Sequence, residues 1–207
     1  MRRFPFITAA VTAVVLVAWL SPQLHEFCLF ERTHISSGQW WRLLTGHLVH
    51  FSPSHLIFDS AVFLVTGAMI EDRGRKLVIG LLLTSALAIS AGLFWLAPEL
   101  QFYGGMSGVA TAMLCFVAFE CARGSGIKRA VGVTVIILAT IKMAWETQAS
   151  RALFSIFDRP EIQLAPMAHI IGALVAAAIW ATIWCWQRMG VTSSFRAQMR
   201  GVHQQTP

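Results

Sequence analysis

Charged side chains are scarce in this chain, and their scarcity sets its class. Asp, Glu, Lys and Arg make up 13% of the 207 residues, against about a quarter in ordinary soluble domains, while 56% are hydrophobic. A water-facing surface cannot be built from that supply, so a soluble globular fold is excluded and most of the chain must be solvated by lipid. The four cysteines, Cys28, Cys115, Cys121 and Cys185, form no CxxC or other metal-ligand spacing. Those inside apolar segments behave as small hydrophobic residues. HExxH is also missing, as are repeats at solenoid spacing and low-complexity tracts. A pI near 9.8 raises nucleic-acid binding. No basic stripe with interleaved aromatics supports it, and nucleic acid is not expected as a partner.

What the chain does have is apolar length. A bilayer core takes about 20 apolar residues at roughly 1.5 Å each. Six segments approach that: 4–20, 54–70, 77–96, 106–121, 129–145 and 167–187. The second and fourth are short, which suits helices starting below the membrane surface. The first follows Arg2 and Arg3 like a signal peptide, but Ser21-Pro22 ends it without a convincing small-residue cleavage site, which favours a retained anchor. With loops assigned alternately, eleven of the 16 Lys and Arg fall on one side. Arg32, Arg42, Arg151 and Arg159 fall on the other, and Lys142 lies within the fifth segment. The positive-inside rule then predicts cytoplasmic termini. The expected organisation is an all-α, six-span membrane domain over 1–187 and a disordered basic tail over 188–207, compatible with anionic lipid.

Polar residues inside such a chain are informative. Ser52-Pro53 reads as a helix start, Ser as N-cap and Pro at the first position. It puts His55 in the first turn of the second span and Asp59 one turn deeper on the same face. An aspartate there costs about 2.5–3.5 kcal/mol on insertion scales, so it should face protein or a wet cavity. His50 precedes the helix, completing His50-x4-His55-x3-Asp59. Three readings stand: a shared zinc ion, a structural polar cluster, or support for catalysis. In the loop 21–53, Phe27, Phe30, Trp40, Trp41 and Arg42 suit either an interfacial anchor or a partly embedded brace.

The fourth and sixth segments carry a nucleophile and a base. Tyr103-Gly104-Gly105 precedes Ser107, and the glycines permit a tight turn. Ser107 then falls in the first helical turn, where N–H groups without intrahelical partners can hold an oxyanion. Gly104-xxx-Gly108 and Ala168-xxx-Gly172-xxx-Ala176 are small-residue ridges that let two helices approach closely. His169 sits beside the second ridge, at matching depth, where it can take the Ser107 proton. The bland alternative is a packed histidine bonded to a carbonyl.

These motifs together resemble the rhomboid intramembrane serine proteases over nearly the whole chain. The resemblance rests on the six-span layout, Trp41-Arg42, the His50/His55/Asp59 array and Gly67-Ala68-Met69-Ile70-Glu71. Gly105-Met106-Ser107-Gly108 and Ala168-His169-Ile170-Ile171-Gly172 complete it. It implies Ser107 as nucleophile and His169 as base of a dyad without cofactor or metal. His55 and the Ser107 N–H would line the oxyanion hole, with His50, Asp59, Gly105 and Gly108 in support. The implied substrates are membrane-anchored proteins, cut from the outer side of a bacterial inner membrane. Two positions depart from the pattern: Asp59 stands where asparagine is usual, and Thr111 where an aromatic often stacks on the histidine. Asp59 would donate to an oxyanion only if protonated; otherwise it orients His55. A narrower resemblance, carried by Gly38-Gln39-Trp40-Trp41-Arg42-Leu43-Leu44-Thr45 through His55 and Asp59, is to the rhombosortase branch, linked to C-terminal Gly-Gly sorting helices. The rivals are an inactive relative that binds membrane helices, and a small transporter using Glu120 and Lys142.

Overall fold

The computed structural model describes residues 4–149 and 165–203, with side chains to Met189. Six long helices coincide with the six expected segments: α1 (Phe6–Leu20), α5 (Pro53–Glu71), α6 (Arg75–Leu96), α7 (Ser107–Ala122), α8 (Gly126–Ala149) and α9 (Pro166–His203). Between α1 and α5 lie α2 (Pro22–Cys28), β1 (Phe30–Glu31), α3 (Arg32–Ser36), α4 (Arg42–Thr45) and a 3₁₀ turn, Gly46–Leu48; β2 (Phe102–Tyr103) precedes α7. By length and composition α5, α6 and Pro166–Met189 are membrane-capable, and a fourth span results if α1 and α2, bent by 113°, count together. At 15 and 16 residues, α1 and α7 fall short of a bilayer core of about 30 Å. The protein is an all-α polytopic membrane protein. Ile57, Val65, Leu87, Leu138, Ile141 and Leu174 are exposed on its helices, as lipid contact demands.

Helix starts follow local chemistry. Ser52 caps α5, its Oγ accepting the His55 N–H at 3.2 Å, with Pro53 at the first helical position. Ser21 and Pro22 repeat this on α2. The C-terminus of α6 is closed by Arg32, whose guanidinium donates to the carbonyls of Leu93, Phe94, Ala97 and Leu100 at 2.6–2.9 Å. A cation at that end also meets the negative pole of the helix. At the other end of the bundle Glu71 accepts the N–H groups of Ile7 and Thr8 and the Thr8 hydroxyl, each at 2.9 Å, tying α5 to the start of α1.

Helix α7 is the centre. It packs on α5, α6, α8 and α9, most extensively on α9, and Ala112, Met113 and Phe116 are buried within it. Its contact with α9 is nearly backbone to backbone. A Cβ on Gly172 would collide with the Gly108 carbonyl oxygen, and one on Gly108 would sit 3.0 Å from the Ala168 oxygen. On the other flank a Cβ on Gly132 of α8 would strike the α7 backbone at Ala118 and Ala122. Gly108, Ala168 and Gly172 of the expected ridges therefore form the helix interface, with Gly132 as an unforeseen further member, while Gly104 lies instead against Phe51.

Two boundaries differ from expectation. The loop predicted from residue 146 starts later, because α8 runs to Ala149 and keeps Glu146 inside the helix, paired with Lys142 one turn back at 2.7 Å. The basic tail expected from 188 continues as backbone helix to His203, and its side chains beyond Met189 lie outside the described residues. So do Arg2, Arg3, Arg151 and Arg159, which entered the charge count.

Gly172→Ala should lower the melting temperature in detergent, since overpacking of this kind costs roughly 1–3 kcal/mol. Gly80→Ala on α6, with nothing within 4 Å of the added methyl, should leave it unchanged or raise it. Equal behaviour of the two variants would contradict the close α7–α9 approach.

Candidate active site

Ser107 is the first residue of α7 and His169 lies in the first turn of α9. They flank the tight contact just described: Ser107 precedes Gly108, His169 follows Ala168, and those two neighbours touch. His169 is buried. Its Nδ1 lies 2.9 Å from the Glu146 carboxylate, and its Nε2 has no hydrogen-bond partner among the described residues. The bland alternative, a histidine bonded to a backbone carbonyl, is not the arrangement seen. Glu146 itself is buried, with Lys142 Nζ 2.7 Å from the same oxygen and 3.5 Å from Nδ1.

The segment leading to Ser107 is held in a strained turn. Gly105 has φ +120°, in the region that favours glycine, and a Cβ there would meet the His55 ring. Tyr103 donates its hydroxyl to the Gly105 carbonyl at 3.2 Å, and the Gly105 N–H reaches the Gly46 oxygen at 3.3 Å. One residue on, the Met106 N–H points at His50 Nε2, 3.5 Å away. Gly104 is equally confined, because a Cβ would strike Phe51.

His50, His55 and Asp59 come together beside this turn, all three buried. Asp59 Oδ2 is 3.2 Å from both His50 Nε2 and His55 Nε2, and the two rings lie 4.9 Å apart, edge to face. The potential ligand atoms lie within 4.8 Å of one another, close enough to share a metal ion. Asp59 Oδ2 is near both imidazoles but has no hydrogen-bond partner among the described residues, so proximity alone links the three side chains.

The loop 21–53 braces the turn before Ser107. Arg42 is buried, donating to the carbonyls of Glu26 and Leu29 at 2.8 and 2.6 Å and to Gln39 Oε1 at 2.7 Å. Trp41 stacks on Phe27 and donates to its carbonyl at 3.2 Å. β1 pairs antiparallel with β2, Phe30 opposite Tyr103 and Glu31 opposite Phe102, which joins the loop to the Ser107 turn. His47 is a part of the brace that sequence reasoning missed. Its Nε2 is 3.0 Å from both the Ala86 oxygen and Ser90 Oγ, and its ring meets Tyr103 edge-on. The Glu120 and Lys142 of the transporter reading are separated. Glu120 binds Arg73, Arg123 and Trp180 at the far end of α7, while Lys142 belongs to the Glu146 cluster.

The rhomboid-domain family model matches residues 37–186, nearly three quarters of the chain and every candidate site residue. The chain belongs to the rhomboid family. Among its relatives are the rhomboid proteases GlpG of Salmonella choleraesuis, Salmonella paratyphi A and Salmonella newport. Each is 26% identical over 199 residues, covering 86% of this chain and 67% of the relative. In this rhomboid the Trp41-Arg42 pair and the Gly67–Glu71 motif thus have structural employment, one fixing the loop and the other closing α1 against α5.

Burial holds the His47 imidazole down to about 4, against the opposing effect of its bonds to the Ala86 and Gly105 backbone. The unfolded chain takes up that proton near pH 6.5, the folded one only near pH 4, so acid in that window favours unfolding. Stability should fall by up to about 3 kcal/mol as pH drops across it, and His47→Gln should lose less. Melting curves of both proteins in detergent test this; parallel losses would contradict it.

Proposed function

We propose that this rhomboid protease cleaves a peptide bond in a membrane-embedded helix through a Ser107–His169 dyad. The reading rests chiefly on one observation: two helices pressed together at Gly108 and Gly172 carry Ser107 and His169 in their first turns, with His169 Nε2 unpartnered among the described residues. In the chemistry, Ser107 Oγ attacks the scissile carbonyl as its proton passes to Nε2, which later returns it to the leaving amine. Water then attacks the acyl-enzyme by the same base. The first N–H groups of α7 have no intrahelical acceptors and lie at the positive end of the helix, which suits them to the oxyanion. Gly105, where a Cβ would meet the His55 ring, lets that imidazole lie against the turn. His55, with Asp59 and His50 beside it, forms the flank of that place, while Gly108 serves by letting α9 approach.

The substrate helix must unwind before attack, since helical amides are hydrogen-bonded. Glycine or other small residues near the cut would ease this. The narrower resemblance to rhombosortases supports C-terminal anchor helices bearing Gly-Gly as the substrates. The resemblance supports a bacterial inner-membrane location, and the charge distribution supports cytoplasmic termini with the site facing outward. It also supports a membrane domain over 1–187 followed by a basic tail at anionic lipid. A second reading, a helix-binding protein without turnover, draws on Asp59, whose carboxylate would repel an oxyanion.

Lipid-reconstituted protein should react with a serine-directed fluorophosphonate, and Ser107→Ala and His169→Ala should both abolish labelling while remaining folded. A folded wild type that does not label favours the helix-binding reading. Asp59→Asn should lower activity, because it weakens the hold on His50 and His55; activity retained or raised would return Asp59 to a direct oxyanion role.

A further inference from the structure

The dyad has a buried acid behind it. We propose that Glu146 is a positioning residue for His169, so that the site works as a Ser107–His169–Glu146 relay of hydrogen bonds, with Lys142 as the counter-ion. This rests on the dyad reading of the preceding section.

The observations come from a helix that carried no candidate site residue. Glu146 projects from the last turns of α8 and is 2% exposed, and one of its oxygens lies 2.9 Å from His169 Nδ1. A carboxylate can only accept, and its contact with Nδ1 is the shorter one, the donating Lys142 ammonium standing 3.5 Å off, so Nδ1 is assigned the proton. That choice of tautomer leaves Nε2 with a bare lone pair, and Nε2 is the atom without a partner among the described residues. A general base needs its lone pair free on the side of the nucleophile and its ring fixed by a bond on the other. No aromatic ring packs on His169 among the described residues, and Thr111 holds the position one turn below Ser107. Glu146 therefore provides the polar restraint on the ring.

Lys142 explains how the acid stays in place. An isolated carboxylate in an apolar bundle is costly and tends to neutralise. The ammonium, 2.7 Å from the same oxygen and partly exposed, balances it. Among the described residues the charged groups at His169 are Glu146 and Lys142 of α8. Ser107 comes from α7. In the reaction the Ser107 proton moves to Nε2 as the Oγ–carbon bond forms. Glu146 keeps its charge throughout, accepting from Nδ1–H in both states and stabilising the imidazolium between them. No proton passes to the carboxylate.

The test uses the full chain in lipid, with cleavage of a fluorogenic transmembrane peptide and fluorophosphonate labelling for wild type, Ser107→Ala, Glu146→Gln and Glu146→Asp. Glu146→Gln should lower kcat and the labelling rate by about 10- to 100-fold with KM little changed, and Glu146→Asp should recover part of the loss. A Glu146→Gln enzyme as fast as wild type, beside an inert Ser107→Ala, overturns the role of Glu146 and leaves the dyad standing. Residual turnover in Ser107→Ala instead defeats the dyad and this inference with it. Because Glu146→Gln also disturbs a buried ion pair, a readout on the wild type itself is needed. Nitrogen NMR of histidine-labelled protein, assigned with His169→Ala, should give protonated Nδ1 and unprotonated Nε2 at neutral pH; the reverse tautomer would refute the proposal.

Discussion

The approach of α7 to α9 at Gly108 and Gly172 is the constraint on which the remainder depends. Lipid offers no hydrophobic drive for helices to associate, so close van der Waals packing and polar bonds between them must do it. With glycine on both sides the two backbones meet without intervening side chains, and Gly132 brings α8 against the other flank of α7. Two helices, α8 and α9, are thereby fixed against the short α7, three elements in all. Ser107, His169 and Glu146 lie on those three elements, so their mutual geometry follows from backbone contact and owes little to flexible side chains.

Polar groups at the two ends of the bundle obey a second rule, that a buried donor or acceptor in such surroundings needs a partner. Arg32 takes the carbonyls left open at the end of α6, Arg42 those of the loop, and Glu71 the N–H groups at the start of α1. Each lies at a helix end or a turn, where the backbone cannot satisfy itself. The bundle's middle is left to apolar residues such as Phe63, Leu81 and Met113.

What could be read in the sequence was local. Apolar length gave six helices, with ends within a few residues except that α9 runs on to His203; Ser52-Pro53 gave the cap on α5, and small-residue spacing gave the α7–α9 contact. His50, His55 and Asp59 were legible as a group because four-residue spacing aligns them on one helix face or just before it. Glu146 was not, since a charge at the end of an apolar run looks like the start of a loop. The clue was Lys142, an unexplained cation four residues earlier, which asks for an acid on its own face. Arg32 and His47 escaped for a different reason: their partners, from Ala86 to Leu100, are backbone carbonyls and a serine some 40 to 70 residues away, and no spacing rule reaches that far.

The two-residue pairing of β1 with β2 makes the loop and the nucleophile parts of one linkage. Phe30 is bonded across to Tyr103, Tyr103 to the Gly105 carbonyl, and Gly105 to Gly46 on the loop again. The circuit closes on itself. The loop 21–53 cannot swing as a free lid with this wiring, because lifting it would drag the turn that leads into Ser107. Any motion that displaced this loop would carry the start of α7 with it, so loop and helix start form one mechanical unit.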